Sequence, residues 1–207
     1  MRDILKRGFA VILSTIFIMN FIPATQVSAA EFNVGKKSGN VYENDFFGIR
    51  LTLPDGYAFV DDETLAQITG QTAELLKNHV ATARSIENGS VIVYAYANDE
   101  TDYNTINITL SNVGDPAITE KDVAEASKDE LKAFFTENGY TVDSIEAKTK
   151  NVAGEDHYEI VVEATYDGYK FYEQVVVFLK DGYNMNITTA NYFKNDTDEI
   201  LKGVTKL

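Results

Sequence analysis

Alternation of apolar and polar positions is strongest in the last third of the chain. The segments "HYEIVVEATY", "YKFYEQVVVFLK" and "YNMNITTANY" are separated only by Asp167-Gly168 and Asp181-Gly182. An Asp-Gly pair supplies the positive φ angles of a type I′ turn, so His157–Tyr192 is expected to be an antiparallel meander. "SVIVYAYA" at Ser90–Ala97 and "YNTINITLSNV" at Tyr103–Val113 predict a second antiparallel pair across a polar loop. "GIRLTLP" predicts a strand with Ile49, Leu51 and Leu53 on one face, ended by Pro54. Asp-Gly-Tyr occurs three times, at Asp55, Asp167 and Asp181, with unrelated flanks and no common period, which marks turn chemistry rather than a repeat.

Helical spacing links Ala73, Leu76, Val80 and Ala83 in one helix running to Ile86, and Leu131, Phe134 and Phe135 in another that opens on a Thr119/Asp122 capping box. Both end on "ENG", whose glycine is suited to the left-handed position after a helix. A shorter helix is expected from Asp61 or Asp62 with Leu65 and Ile68, and a last one from Asp196 or Thr197 through Ile200 and Leu201. "DSIEAKTKNVAG" at Asp143–Gly154 leads into the meander. The order is hairpin, helices, two strands, helix, four strands, short helix. Without regular βαβ alternation this is α+β with a largely antiparallel sheet.

The N-terminus carries a different pattern. Arg2, Lys6 and Arg7 precede the apolar run Gly8–Ile22, and small residues follow at Val27–Ala30. This predicts a secretory signal peptide over residues 1–30, cleaved after Ala29 or Ala30, with an uncleaved anchor as the alternative reading. Residues 31–39 then form a short linker and residues 40–207 one domain, secreted or held in the cell envelope and with no membrane span after cleavage. The chain has no cysteine, which rules out disulfides and thiol catalysis, so stability must come from an ordinary core. Removing three basic residues and Asp3 with the leader leaves 15 basic and 31 acidic side chains, a net charge of −16. Such a surface repels nucleic acid and anionic lipid.

The segment "NVYENDFFGIRLTLPDGY" at Asn40–Tyr57 resembles the opening of PsbP-like domains, the Mog1/PsbP fold, through Tyr42, Phe47, Ile49, Leu51, Leu53, Pro54, Gly56 and Tyr57. Tyr57 stands where many relatives have Trp. The resemblance implies a central antiparallel sheet sandwiched by helices and an export-associated, non-catalytic module, and it transfers no site residue.

Chemistry-bearing motifs are few. There are two histidines, His79 and His157, with no Ser or Asp partner placed by a motif, and no Gly-x-Ser-x-Gly, His-Glu-x-x-His, P-loop or dinucleotide fingerprint. No catalytic residue and no cofactor is therefore assigned; a hydrolase would need carboxylates that meet only in three dimensions. The loop around "NDETDYN" places oxygen-bearing Asn98, Glu100, Asp102 and Asn104 at alternate positions, as in the first half of a calcium loop. It lacks the glycine and the closing glutamate, which points to a solvated hairpin. The more suggestive pattern is the alternation of Asn107, Thr109 and Ser111, and of Asn184, Asn186 and Thr188, with apolar residues. One sheet face would then carry amides and hydroxyls. With Tyr94, Tyr96, Tyr103 and Tyr183 nearby, such a face suits a sugar or peptide, so that a protein, small-molecule or glycan partner is expected, although the same alternation marks the solvent side of an ordinary sheet.

Overall fold

The computed structural model describes residues 32–101 and 103–207; the leader, its cleavage site and Asp102 lie outside the described residues. In chain order the elements are β1 (Lys36–Ser38), β2 (Val41–Asn44), β3 (Ile49–Thr52), β4 (Tyr57–Phe59), α1 (Asp62–Thr69), α2 (Ala73–Lys77), α3 (His79–Glu87), β5 (Ile92–Asp99) and β6 (Asn104–Asn112). Then follow α4 (Glu120–Glu137), β7 (Thr141–Val152), β8 (Glu155–Tyr166), β9 (Tyr169–Lys180), β10 (Tyr183–Tyr192), α5 (Thr197–Leu201) and β11 (Val204–Lys206). They form two antiparallel sheets, a small one ordered β1-β2-β3-β11 and a seven-stranded one ordered β4-β5-β6-β10-β9-β8-β7. The fold is α+β.

The meander forms as the turn chemistry requires. Asp167 and Gly168 have φ of 50° and 81°, Asp181 and Gly182 have 50° and 78°. A third tight turn, Ala153-Gly154 at 54° and 86°, joins β7 to β8; an alanine in that position hid it from the sequence. Gly182 has a further duty: its carbonyl accepts from Val113 N at 2.8 Å, so one turn residue ties β10 to both of its neighbours.

Three expectations change. Of the expected linker 31–39, the described part from residue 32 is built into the fold: Phe32 and Val34 are buried and Lys36–Ser38 pairs with β2, with Tyr42 reaching back to donate to the Val34 carbonyl at 2.9 Å. The single helix over Ala73–Ile86 breaks at Asn78, whose side chain accepts from Ala81 N and starts α3 anew; Val80 is left exposed. Helices also do not sandwich the large sheet evenly. One face is packed by the small sheet with α1–α3 and α5, around Tyr42, Leu51, Leu65, Ile86, Ile108 and Ile187. The other meets α4, whose packing falls on β7, β8 and β9 around Val123, Leu131, Phe135, Ile160 and Val175.

Glu120, at the first turn of α4, fastens that helix. Its carboxylate accepts from His157 Nδ1 at 2.9 Å, from Tyr158 N at 3.1 Å and from Leu179 N at 3.2 Å. One side chain thus bridges α4, β8 and β9, while the capping box of Thr119 and Asp122 closes the helix end beside it.

Two outcomes are expected in denaturant melts. Gly168→Val and Gly182→Val each lower stability by more than about 1 kcal/mol, since β-branched residues resist positive φ, whereas Tyr169→Phe is nearly silent. Glu120→Ala lowers stability by about 2 kcal/mol or more, because two backbone donors and an imidazole lose a charged acceptor together. Glycine variants as stable as the parent would refute the turn assignment.

Candidate ligand-binding face

The pairing of β6 with β10 sets Asn184 opposite Ser111, Asn186 opposite Thr109 and Thr188 opposite Asn107. All six side chains point to the α4 side of the sheet, while Met185, Ile187, Leu110 and Ile108 between them point into the other core. The sequence-predicted Asn107, Thr109, Asn184, Asn186 and Thr188 are therefore brought together as a polar ladder, with Ser111 added. Tyr96 joins them from β5, directly opposite Asn107.

Tyr94 does not. Strict alternation would place it beside Tyr96, but a bulge between Val93 and Ala95 turns it to the opposite face. There it is buried, its hydroxyl 3.0 Å from His79 Nε2 and 3.2 Å from the Gly35 carbonyl. Burial pushes its pKa up, so it remains a neutral core phenol. Tyr103 precedes β6 in a loop and packs against Tyr192 and Phe193 at the ladder's far end.

The ladder is not an ordinary solvent face. Asn184 and Asn186 have 0% exposure, Thr188 and Thr109 1%, Asn107 2%. Within it, Asn184 Nδ2 donates to Ser111 Oγ at 3.4 Å and Thr109 Oγ1 to Asn107 Oδ1 at 3.3 Å. The Asn184 carbonyl oxygen, both polar atoms of the Asn186 carboxamide and the Thr188 hydroxyl have no hydrogen-bond partner. On the other face Gln174 and Asn191 each keep one end of the amide bonded, to Glu159 and to Asn104. Asn186 alone among these carboxamides has both ends unpaired. Buried polar groups are nearly always hydrogen-bonded, and each that is not costs roughly 1–3 kcal/mol.

Aromatic rings close the ladder at the Tyr192 end. Tyr192 and Tyr140 share a hydroxyl contact of 2.5 Å, and burial raises both pKa values, so both rings stay protonated. The residue the sequence did not reveal is Phe193. It is 52% exposed, has φ +72°, and lies 5.2 Å from Tyr103 and 5.5 Å from Tyr169 between ring centroids. Nothing in "NYFKND" announces a left-handed phenylalanine.

The acidic loop is organised from within. Asp99, not the alternate residues, gathers it, accepting from Thr101 N at 3.0 Å, Thr101 Oγ1 at 2.7 Å and Asn104 Nδ2 at 2.6 Å. Asn104 is spent at both ends, since its carbonyl accepts from Asn191 at 3.0 Å. Asn98 is the last but one residue of β5 and Glu100 is exposed, while Asp102 falls outside the described residues. Among the described residues no group of three or more His, Asp or Glu could hold a metal ion. A hollow of about 610 Å³ beside this loop collects Asp55, Asp99, Glu100, Asp196 and Glu199. Asp196 pairs with Lys194 at 2.8 Å and Glu199 with Lys202 at 2.6 Å. Burial raises the pKa of Glu159, but it is sealed beside Gln174 on the α5 side, away from that hollow. The two histidines are bonded to Tyr94 and Glu120 and face neither a serine nor the hollow.

The arrangement is similar to two solved structures. Cyanobacterial PsbP (CyanoP) from Synechocystis sp. PCC 6803 matches with a TM-score of 0.49 and 12% identity, covering 87% of this chain and 99% of that one. LpqN, involved in cell envelope biogenesis of Mycobacterium tuberculosis, matches with a TM-score of 0.40 and 14% identity, covering 76% of this chain and 82% of that one. PsbP is the family that Asn40–Tyr57 resembles. Identities of this size speak to the fold alone. No family model and no curated protein matches the chain in sequence.

Millimolar calcium is expected to leave the melting temperature unchanged, and Asp99→Asn to lower it, because the amide that replaces one carboxylate oxygen would face the Asn104 amide. A calcium-induced rise of several degrees, lost in Asp99→Asn, would contradict this.

Proposed function

We propose that the protein is an exported, non-catalytic binding module and that the ladder of Asn107, Thr109, Ser111, Asn184, Asn186 and Thr188 is its ligand face. The observation that carries this is the set of four unpaired polar atoms on Asn184, Asn186 and Thr188, in side chains at most 1% exposed. A fold gains nothing from such atoms, whereas a ligand that supplies the missing partners gains their hydrogen bonds in a desolvated setting. The ladder itself holds donors and acceptors, and the buried carboxyl of Glu173 lies on the same face opposite Ala190, which suits a ligand bound by matched hydrogen bonds with tyrosine rings at the margin. Export agrees with the leader pattern, and among the described residues no helix is long and apolar enough to cross a membrane.

This reading predicts an inversion of the usual effect of core substitution. Asn186→Leu and Thr188→Val replace unpaired polar groups by apolar ones of similar shape, and each should leave the melting temperature unchanged or raise it. Ile187→Ala, one position away on the other face, should cost about 2–5 kcal/mol. If Asn186→Leu and Thr188→Val destabilised the fold as Ile187→Ala does, the ladder would be structural and the proposal would fail.

A further inference from the structure

We infer that the outer edge of β7 is a docking edge for a second copy of this chain, paired antiparallel with that copy's own β7; the inference does not rest on the ladder. The two sheets have four edge strands, and three of them, β1, β4 and β11, are only three residues long. Edges that short leave little for another chain to pair with. β7 is the exception, with twelve residues from Thr141 to Val152 and no proline. Its partner strand is β8, on one side alone. Among the described residues no backbone hydrogen bond reaches β7 from a loop or a helix, so alternate N–H and C=O groups along it point outward and are open to a further strand. α4 packs on the sheet face that carries Ile145 and Ala147 and does not pair with the edge. Glu146, Lys148 and Thr149 around them are exposed.

The charges on this strand are self-complementary. Asp143 and Glu146 lie in its first half, Lys148 and Lys150 in its second. An antiparallel second copy runs the other way and brings its basic half to this acidic half. Two-fold symmetry then narrows the register, because residues directly opposite share a face and one residue must stand opposite itself. With Ala147 on the axis, Glu146 faces the second copy's Lys148 and Lys148 faces its Glu146. With Glu146 on the axis two glutamates would meet, and with Lys148 on it two lysines would; like charges directly opposite destabilise a sheet and opposite charges stabilise it. Asp143 and Lys150 are engaged within their own copy, with Lys170 and with Asp198, so Glu146 and Lys148 carry the pairing. The Lys148 side chain is 52% exposed and stands 3.9 Å from Glu159. The four charges of β7 sum to zero, against −16 for the chain without its leader, so along this edge two otherwise repelling molecules can meet.

The test follows the mass of the chain from Glu31 onward by sedimentation equilibrium, from micromolar to near-millimolar concentration. The parent should dimerise. Glu146→Lys and Lys148→Glu each set like charges against the second copy, and each should weaken self-association at least tenfold while leaving the melting temperature of the dilute protein unchanged. Mixed in equal amounts, the two variants should dimerise with one another, because every facing pair is then oppositely charged. A second measurement needs no charge change: Ala147→Cys, in a chain with no other cysteine, should close to a disulfide-linked dimer under mild oxidation, whereas Thr149→Cys, two residues from the axis, should stay reduced. A monomer at every concentration would overturn the inference. So would a dimer that neither charge reversal weakens, variants that stay apart when mixed, or Thr149→Cys closing as readily as Ala147→Cys.

Discussion

The register between β6 and β10 is the constraint on which the rest of the structure depends. Side chains alternate across a strand, so a slip of one residue would drive Asn184, Asn186 and Thr188 into the core of the small sheet and expel Met185 and Ile187 from it. Gly182 holds the register from both sides. Its positive φ closes the turn that fixes β10 on β9, and its carbonyl takes the Val113 N–H where β6 leaves the sheet. The third copy of Asp-Gly-Tyr is thus turn chemistry that also decides where the polar ladder lies.

The two faces of the large sheet are built on different energetic terms. One is close-packed, with Phe32 stacked on Tyr183 at 4.1 Å, Tyr42 bonded to Val34, and Leu51, Leu65 and Ile86 fully enclosed. The other is apolar only beneath α4; toward β6 and β10 it gives way to carboxamides and hydroxyls. Unpaired groups at roughly 1–3 kcal/mol each are a large sacrifice for a domain whose net stability is typically about 5–15 kcal/mol. The compensation is visible elsewhere: the three-way acceptor Glu120, the capping box of α4, and the closure of the small sheet by β11 on β3. Unpaired atoms fall on both faces, four on the ladder and others on Gln174, Thr189 and Asn191, so what sets the ladder apart is the Asn186 carboxamide with both of its ends unpaired.

Much of this was legible in the sequence, for identifiable reasons. Asp-Gly pairs between β-branched runs name their own turns, Thr119 with Asp122 names its helix start, and the Asn/Thr alternation names the residues of the ladder. The rest depended on contacts between distant segments. Whether alternation faces solvent or interior cannot be read from one strand, so the burial of Asn184 and Asn186 was hidden. The bulge that separates Tyr94 from Tyr96 leaves no composition signal in "VIVYAYA". Asn78 reads as an ordinary helical position until its side chain is seen capping α3. Lys36–Ser38 is too short and polar to announce itself, and becomes a strand only because β2 is there to pair with it. Phe193 is left-handed because Lys170 holds its N–H, a partner on β9 far away in the chain.

The register is also the most directly measurable element of the account. The chain has no cysteine, so an introduced pair has no competitor. Thr109→Cys with Asn186→Cys places two thiols directly opposite on one face, within the Cα separation that a disulfide tolerates, whereas Ile108→Cys with Asn186→Cys places them on opposite faces. Under mild oxidation the first pair should close to completion in the folded protein and the second should stay reduced. Closure of the 108–186 pair with the 109–186 pair left open would show the strands paired one residue away, and would dissolve the polar ladder.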